Sequence, residues 1–134
     1  MLKERLKEIR EELNQFEDGF SKYSFLVQLS AYVSGDQSDL MIDEYLYEGC
    51  QSQVWLRLKC VDNTFQMKAT SDTLIIRGIL YIMMELYNGC PISEIAELEL
   101  DFLKTCGIEE HFSSERTMGI QGIIEQIRDF CAIS

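Results

Sequence analysis

The stretch "VWLRLKCVDNTFQMKAT", residues 54–70, changes the chain's hydrophobic period from 3.6 to 2. Val54, Leu56, Leu58 and Cys60 alternate with Trp55, Arg57, Lys59 and Val61; beyond Asp62-Asn63, Phe65, Met67 and Ala69 alternate with Gln66, Lys68 and Thr70. Two alternating runs joined by a two-residue turn predict an antiparallel hairpin with one buried face. Upstream, "EYLYE" (44–48) has the aromatic character of a third strand. Gly49 and Cys50 then fall in the connection between two strands. A loop held by a sheet is where reactive groups are commonly presented, and Cys50 is therefore a candidate nucleophile.

The flanking segments read as helices. Leu2, Leu6, Ile9, Leu13 and Phe16 form one apolar stripe among Lys, Glu and Arg; after Asp18-Gly19, Phe25, Leu26, Leu29, Tyr32 and Val33 repeat the spacing until "SGDQSD" (34–39) ends it. Downstream, Ser71 or Asp72 is positioned to cap an apolar helix over 73–87 that stops at Asn88-Gly89. Pro91 opens a short helix, "DFLKTC" (101–106) forms another that stops at Gly107, and Ser113 or Ser114 caps a last one. In that last helix Ile120, Ile123, Ile124, Ile127 and Cys131 share a face. Strands in one block with helices before and after predict an α+β fold: a small antiparallel sheet of about three strands with helices packed on one face. At 134 residues without a linker-like segment, one domain over 1–134 is expected.

Composition removes several function classes. Twenty-three acidic against 12 basic side chains give a net charge of −11, which repels phosphate backbones and anionic lipid, so nucleic acid is not an expected partner. The longest apolar run, "TLIIRGILYIMMELY" (73–87), is broken by Arg77 and Glu85 and falls short of the roughly 20 residues of a membrane span. The charged opening "MLKERLKEIREEL" carries no apolar leader core, and the chain is expected to be cytoplasmic. Of five cysteines, none forms a C-x-x-C pair, and His111 is the sole histidine. Zinc-knuckle and iron–sulfur ligand spacings are absent, and the odd count argues for free thiols.

Among the cysteines, Cys60 lies in register with Val54, Leu56 and Leu58 and is expected to point into the core; Cys131 shares the apolar face of the last helix. Cys90 and Cys106, at helix boundaries, are expected to be partly exposed. Cys50 alone breaks the apolar pattern, next to Gly49 and ahead of Gln51, Ser52 and Gln53. A Cys–His hydrolase built on Cys50 and His111 has the residue types but no local signature. Arg116, in the first turn of the last helix, faces the positive end of the helix dipole, which invites pairing with Asp72, Glu115 or a partner's anion.

Taken in order, "GCQSQVWL" (49–56), "SDTLIIRGIL" (71–80), "LYNGCPISEI" (86–95) and "FSSERTMGIQGIIEQI" (112–127) resemble the SufE family of sulfur acceptors, with its CsdE relatives, over nearly the whole chain. Matching positions are the Gly49-Cys50-x-Ser52-x-Val54-Trp55 run, Ser71-Asp72 with Gly78 in the helix behind, and Arg116 with Gly119. Thr70 replaces an Asp common before Ser-Asp, and Ser114 replaces a proline ahead of the arginine.

The resemblance implies a SufE/NifU-like fold and a persulfide relay. Cys50 would accept sulfur from a pyridoxal-phosphate cysteine desulfurase of the SufS or CsdA type, stimulate that enzyme, and pass the sulfur to a SufBCD-like cluster scaffold. Gly49, Gln51, Ser52, Asp72 and Arg116 would position the loop or contact the partner, with Gly49 supplying hinge freedom and Val54 and Trp55 anchoring the loop's far end. The chain would act as a sulfurtransferase-type carrier without independent turnover, metal or cofactor. The alternative is an adaptor that activates the desulfurase allosterically without accepting sulfur.

Overall fold

A computed structural model of the chain describes residues 1–33, 37–97 and 102–134. Part of "SGDQSD" and the first residue of "DFLKTC" lie outside that set, as does the side chain of His111. Helices α1 (Leu2–Leu13) and α2 (Gly19–Leu29) lead into strands β1 (Leu46–Tyr47), β2 (Val54–Val61) and β3 (Thr64–Ser71). Helices α3 (Leu74–Tyr87), α4 (Ile92–Glu97), α5 (Phe102–Thr105) and α6 (Ser114–Ile133) follow. The sheet is antiparallel in the order β1-β2-β3, so the α+β expectation holds. None of the helices among the described residues is long and apolar enough to cross a membrane.

The hairpin forms where the alternation places it. Val54 pairs with Ser71, Leu56 with Ala69, Leu58 with Met67 and Cys60 with Phe65, and Asp62 and Asn63 turn the chain at φ 52° and 62°. Both turn residues are types that tolerate the left-handed region a two-residue hairpin requires. Phe65 meets Tyr87 of α3 and Phe130 of α6 edge-on at centroid distances of 6.2 and 6.0 Å, so this face carries the core. The third strand is shorter than predicted. Asp43–Tyr45 wind into a 3₁₀ turn, leaving two residues to pair, Leu46 with Trp55 and Tyr47 with Val54.

Two expectations about the sheet fail. Trp55 points away from the helices yet is buried: the segment before β1 crosses that face, with Asp39 3.6 Å from Arg57 and the Arg57 guanidinium over the Tyr45 ring. Cys60, expected in the core, is exposed. Burial along β2 fades from Val54 to the hairpin tip, so residue parity keeps Cys60 on the core face after cover has run out. Conversely Cys90 and Cys106, expected to be partly exposed, are fully buried. At Cys90 the chain after α3 folds along the free edge of β3: Phe65 N donates to Cys90 O, Gly89 N donates to Phe65 O, and the Asn88 side chain bonds both backbone groups of Met67. This strap covers an edge that would otherwise offer unpaired backbone groups.

Helices α1 and α2 stop short of the apolar stripes read from the sequence, α1 at Leu13 rather than Phe16 and α2 at Leu29, where Ser30–Tyr32 tighten into a 3₁₀ turn. Asp18 caps α2 through Ser21 N, and Ser113 caps α6 through Arg116 N. Ahead of α3, however, neither Ser71 nor Asp72 serves as the cap; Thr73 holds that position without a side-chain cap, because the other two are engaged elsewhere. The core closes over Gly78, where a Cβ would overlap the Leu26 backbone carbonyl of α2.

Two outcomes follow from this packing. Gly78→Ala places a methyl against a helix carbonyl that cannot move aside. Chemical denaturation should therefore find a loss on the order of 1–3 kcal/mol, although alanine favours a helix by about 1 kcal/mol; a neutral or stabilising result would show that α2 and α3 can separate freely. Burial pushes the thiols of Cys106 and Cys131 up to about 11, and raises Cys90. A raised value means less thiolate at a given pH and slower attack. Peptide-mapped alkylation of the folded protein should thus label Cys50 and Cys60 quickly and the other three only on unfolding.

Candidate functional site

Cys50 sits, half-buried, in the six-residue connection from β1 to β2, where the chain turns back beside α6. Its surroundings are set by glycine. A Cβ on Gly119 of α6 would lie 3.1 Å from Cys50 Sγ and 3.2 Å from Gly49 O, so a side chain here would require the loop to give by a few tenths of an ångström, and the bare glycine lets it lie close on the helix. One turn on, a Cβ at Gly122 would collide with the Tyr47 hydroxyl, and so would one at Gly49. Gly119 and Gly122, three residues apart, share one helix face and form a notch. Tyr47 lies in it and donates from its hydroxyl to Gly119 O at 3.0 Å.

Gly49 therefore leaves room for the Tyr47 ring where it rests. Its φ lies outside the left-handed region, so the hinge freedom expected of it is not what the resting loop uses.

The far end of the loop is clamped by the start of α3. Gln53 N donates to Asp72 Oδ1 at 3.0 Å, while Gln53 O accepts from Ser71 Oγ at 2.7 Å and from Asp72 N at 3.2 Å. Ser52 Oγ is 2.7 Å from Thr73 Oγ1. The tip is tied to α6 by Gln51 Nε2, which donates to Glu115 Oε2 at 2.5 Å. Asp72 is thus brought to the loop and acts through a backbone amide, while Gln51 and Ser52 of the loop itself reach α6 and the start of α3.

Arg116 does not pair with Asp72 or Glu115. Its guanidinium lies over the Phe112 ring, 5.9 Å from the centroid, with no ion pair among the described residues. Sequence reasoning missed Tyr47, Gly122 and Thr73, and read Ser71 as a cap candidate and motif position rather than as a loop clamp. The G-x-x-G spacing of 119 and 122 was the available signal, but in a soluble helix it does not disclose which side chain it admits.

Chemically, the arrangement offers one partly accessible thiol on a short loop, held at both ends and resting on a notch. Burial, then the neighbouring Cys50 thiol, push the Tyr47 phenol up, so its hydroxyl remains a donor to Gly119. No group of three or more His, Cys, Asp or Glu side chains among the described residues could hold a metal ion.

Comparison with known proteins gives this geometry a context. An uncharacterized SufE-like protein of Rhizobium etli is 27% identical over 129 residues, covering 92% of this chain and 87% of its own length. One from Rhizobium meliloti is 29% identical over 121 residues, covering 87% and 84%. A third, from Haemophilus influenzae, is 24% identical over 123 residues, covering 90% and 98%. The solution structure of a hypothetical protein from Thermus thermophilus superposes with a TM-score of 0.75 at 14% identity, over 96% of this chain and 93% of that one, a likeness of fold. The model of the SufE Fe–S metabolism associated domain matches residues 7–131, and the chain therefore belongs to the SufE family, whose members work in iron–sulfur metabolism alongside a cysteine desulfurase.

Proposed function

We propose that the chain is a sulfur acceptor and carrier. It takes the terminal sulfur of a desulfurase persulfide onto Cys50 and delivers it for iron–sulfur cluster assembly on a SufBCD-like scaffold, stimulating the desulfurase as it removes its product. The observation that carries this reading is the setting of Cys50: a half-buried thiol on a loop clamped at Gln53 and resting on the Gly119 notch. Three of the other four thiols are buried.

The step balances without an external oxidant. The Cys50 thiolate attacks the outer sulfur of the donor's S–SH; that S–S bond breaks, the donor leaves as a thiolate, and a new persulfide stands on Cys50. Delivery repeats the exchange with the acceptor's thiolate. In this reading Asp72, Ser52 and Gln51 position the loop through the contacts described above. Arg116, at the mouth of the site without an acidic partner among the described residues, is available to an anion on the docking protein. Leu74 and Met118, 51% and 69% exposed, begin α3 and adjoin Gly119 on α6, and so present apolar surface beside the loop. The overall charge of −11 favours a docking face of basic character on the desulfurase.

The decisive experiment is intact and peptide-level mass spectrometry without reductant after mixing the protein with a SufS-type desulfurase and cysteine. One or more added sulfur atoms on the Cys50 peptide are expected, with none in Cys50→Ser. Unmodified Cys50 together with equal stimulation by Cys50→Ser would replace the carrier by the adaptor. A second measurement tests the docking rim. Met118→Ala, which removes apolar surface without changing charge, should raise the concentration needed for half-maximal stimulation about five-fold, as for a contributing interface residue, with the melting temperature unchanged. An unaltered concentration dependence would remove this rim from the interface.

A further inference from the structure

We propose that Tyr47 is the positioning residue that sets how far Cys50 is exposed at rest, acting as a latch between the β1–β2 loop and the glycine notch of α6. The proposal deepens the carrier reading and rests on it for its biological purpose. Its physical content does not need a desulfurase.

The latch rests on the seat of one hydroxyl. The Tyr47 hydroxyl donates to Gly119 O at 3.0 Å; it occupies the space that a Cβ at Gly122 would take; and it fills the space beside Gly49 that a side chain there would need. Gly119 is also the residue against which Cys50 Sγ rests. The same helical turn therefore receives both the thiol and the latch, and a shift of the ring out of the notch removes the support on which the Gly49-Cys50 corner lies.

The clamp at Gln53 fixes the loop where β2 begins, and the exposed Gln51–Glu115 bond ties its tip to α6, so neither reaches the Gly49 side of the corner, where the chain leaves β1. On that side, the pairing of Tyr47 with Val54 ends a strand only two residues long. Backbone pairing that short holds weakly without side-chain support. Tyr47 supplies that support from the last residue of the strand. A single neutral hydrogen bond is a suitable latch for a loop that must open: it biases the closed position by a modest factor without locking it.

Two variants separate the latch from general structure. Tyr47→Phe keeps the ring and deletes the bond to Gly119 O. Gly122→Ala keeps Tyr47 but fills its seat, while favouring the α6 helix by its own propensity. The readout is the alkylation rate of each cysteine peptide in the folded protein, with exposed Cys60 at the hairpin tip as internal reference and buried Cys106 and Cys131 as reporters of unfolding.

Tyr47→Phe should raise the Cys50 to Cys60 rate ratio about five-fold, the factor expected for one lost hydrogen bond, and Gly122→Ala should raise it at least as much. An unchanged ratio in both variants overturns the latch. So does a rise shared by Cys106 and Cys131, which would mean that Tyr47 holds the fold rather than the loop. Because no sulfur donor is present, failure here is distinct from failure of Cys50 to accept sulfur.

Discussion

The approach of the Gly49-Cys50 corner to the notch of α6 is the constraint on which the rest of the site depends. A helix normally keeps a neighbouring backbone at the distance its side chains impose. Here Gly119 and Gly122 remove two of them on one face, and the thiol and Tyr47 occupy the space. The adjoining face carries Ile120, Ile123 and Ile127, each fully buried, so the apolar packing that orients α6 also fixes where the notch points. A slip of one residue would rotate the helix by about 100°, turning both features away together.

The loop itself is held differently from its surroundings. Beneath it lie the isoleucine face of α6 and a strongly apolar α3; across it run single polar contacts, several of them solvent-exposed. Segments with few buried apolar contacts and exposed hydrogen bonds open at lower free energy than the core they sit on. Cys50 therefore sits where polar ties rather than apolar packing hold most of the loop, although the thiol itself rests against the core. The contacts also divide by end: Ser71, Asp72 and Thr73 govern the exit into β2, and Tyr47 governs the entry from β1.

Much of this was legible from local pattern. Period-two alternation identified β2 and β3, the Asp62-Asn63 turn fixed their register, and the isoleucine spacing of α6 identified its buried face, because each is a property of neighbours in sequence. The reading failed where a distant segment supplies the environment. Parity placed Cys60 correctly on the core face but could not say that cover ends before the hairpin tip. Trp55 is buried by the chain ahead of β1, and Cys90 by a strap folded onto the edge of β3. At the site, loop position singled out Cys50 as a candidate, and the contact of Asp72 with the loop joins segments 19 residues apart. Tyr47 carried no signal of its own, since the meaning of a tyrosine at the end of a short strand lies in two glycines more than seventy residues away.

The distribution of thiols gives the carrier reading its final constraint. A protein that holds labile sulfur must keep it from its own other cysteines, since any thiolate within reach can attack a persulfide. Cys90, Cys106 and Cys131 are silenced by burial, which raises the pKa of each. Cys60 is exposed and is kept away by the sheet instead. From Val54, where the loop ends, β2 runs fully extended to Cys60, six steps of about 3.3 Å or about 20 Å. A strand paired on both sides near the loop cannot fold back to close that gap. The hairpin thus has Cys50 at one end and the remaining accessible thiol at the other, so that, in the carrier reading, sulfur on Cys50 is kept from Cys60 of the same chain.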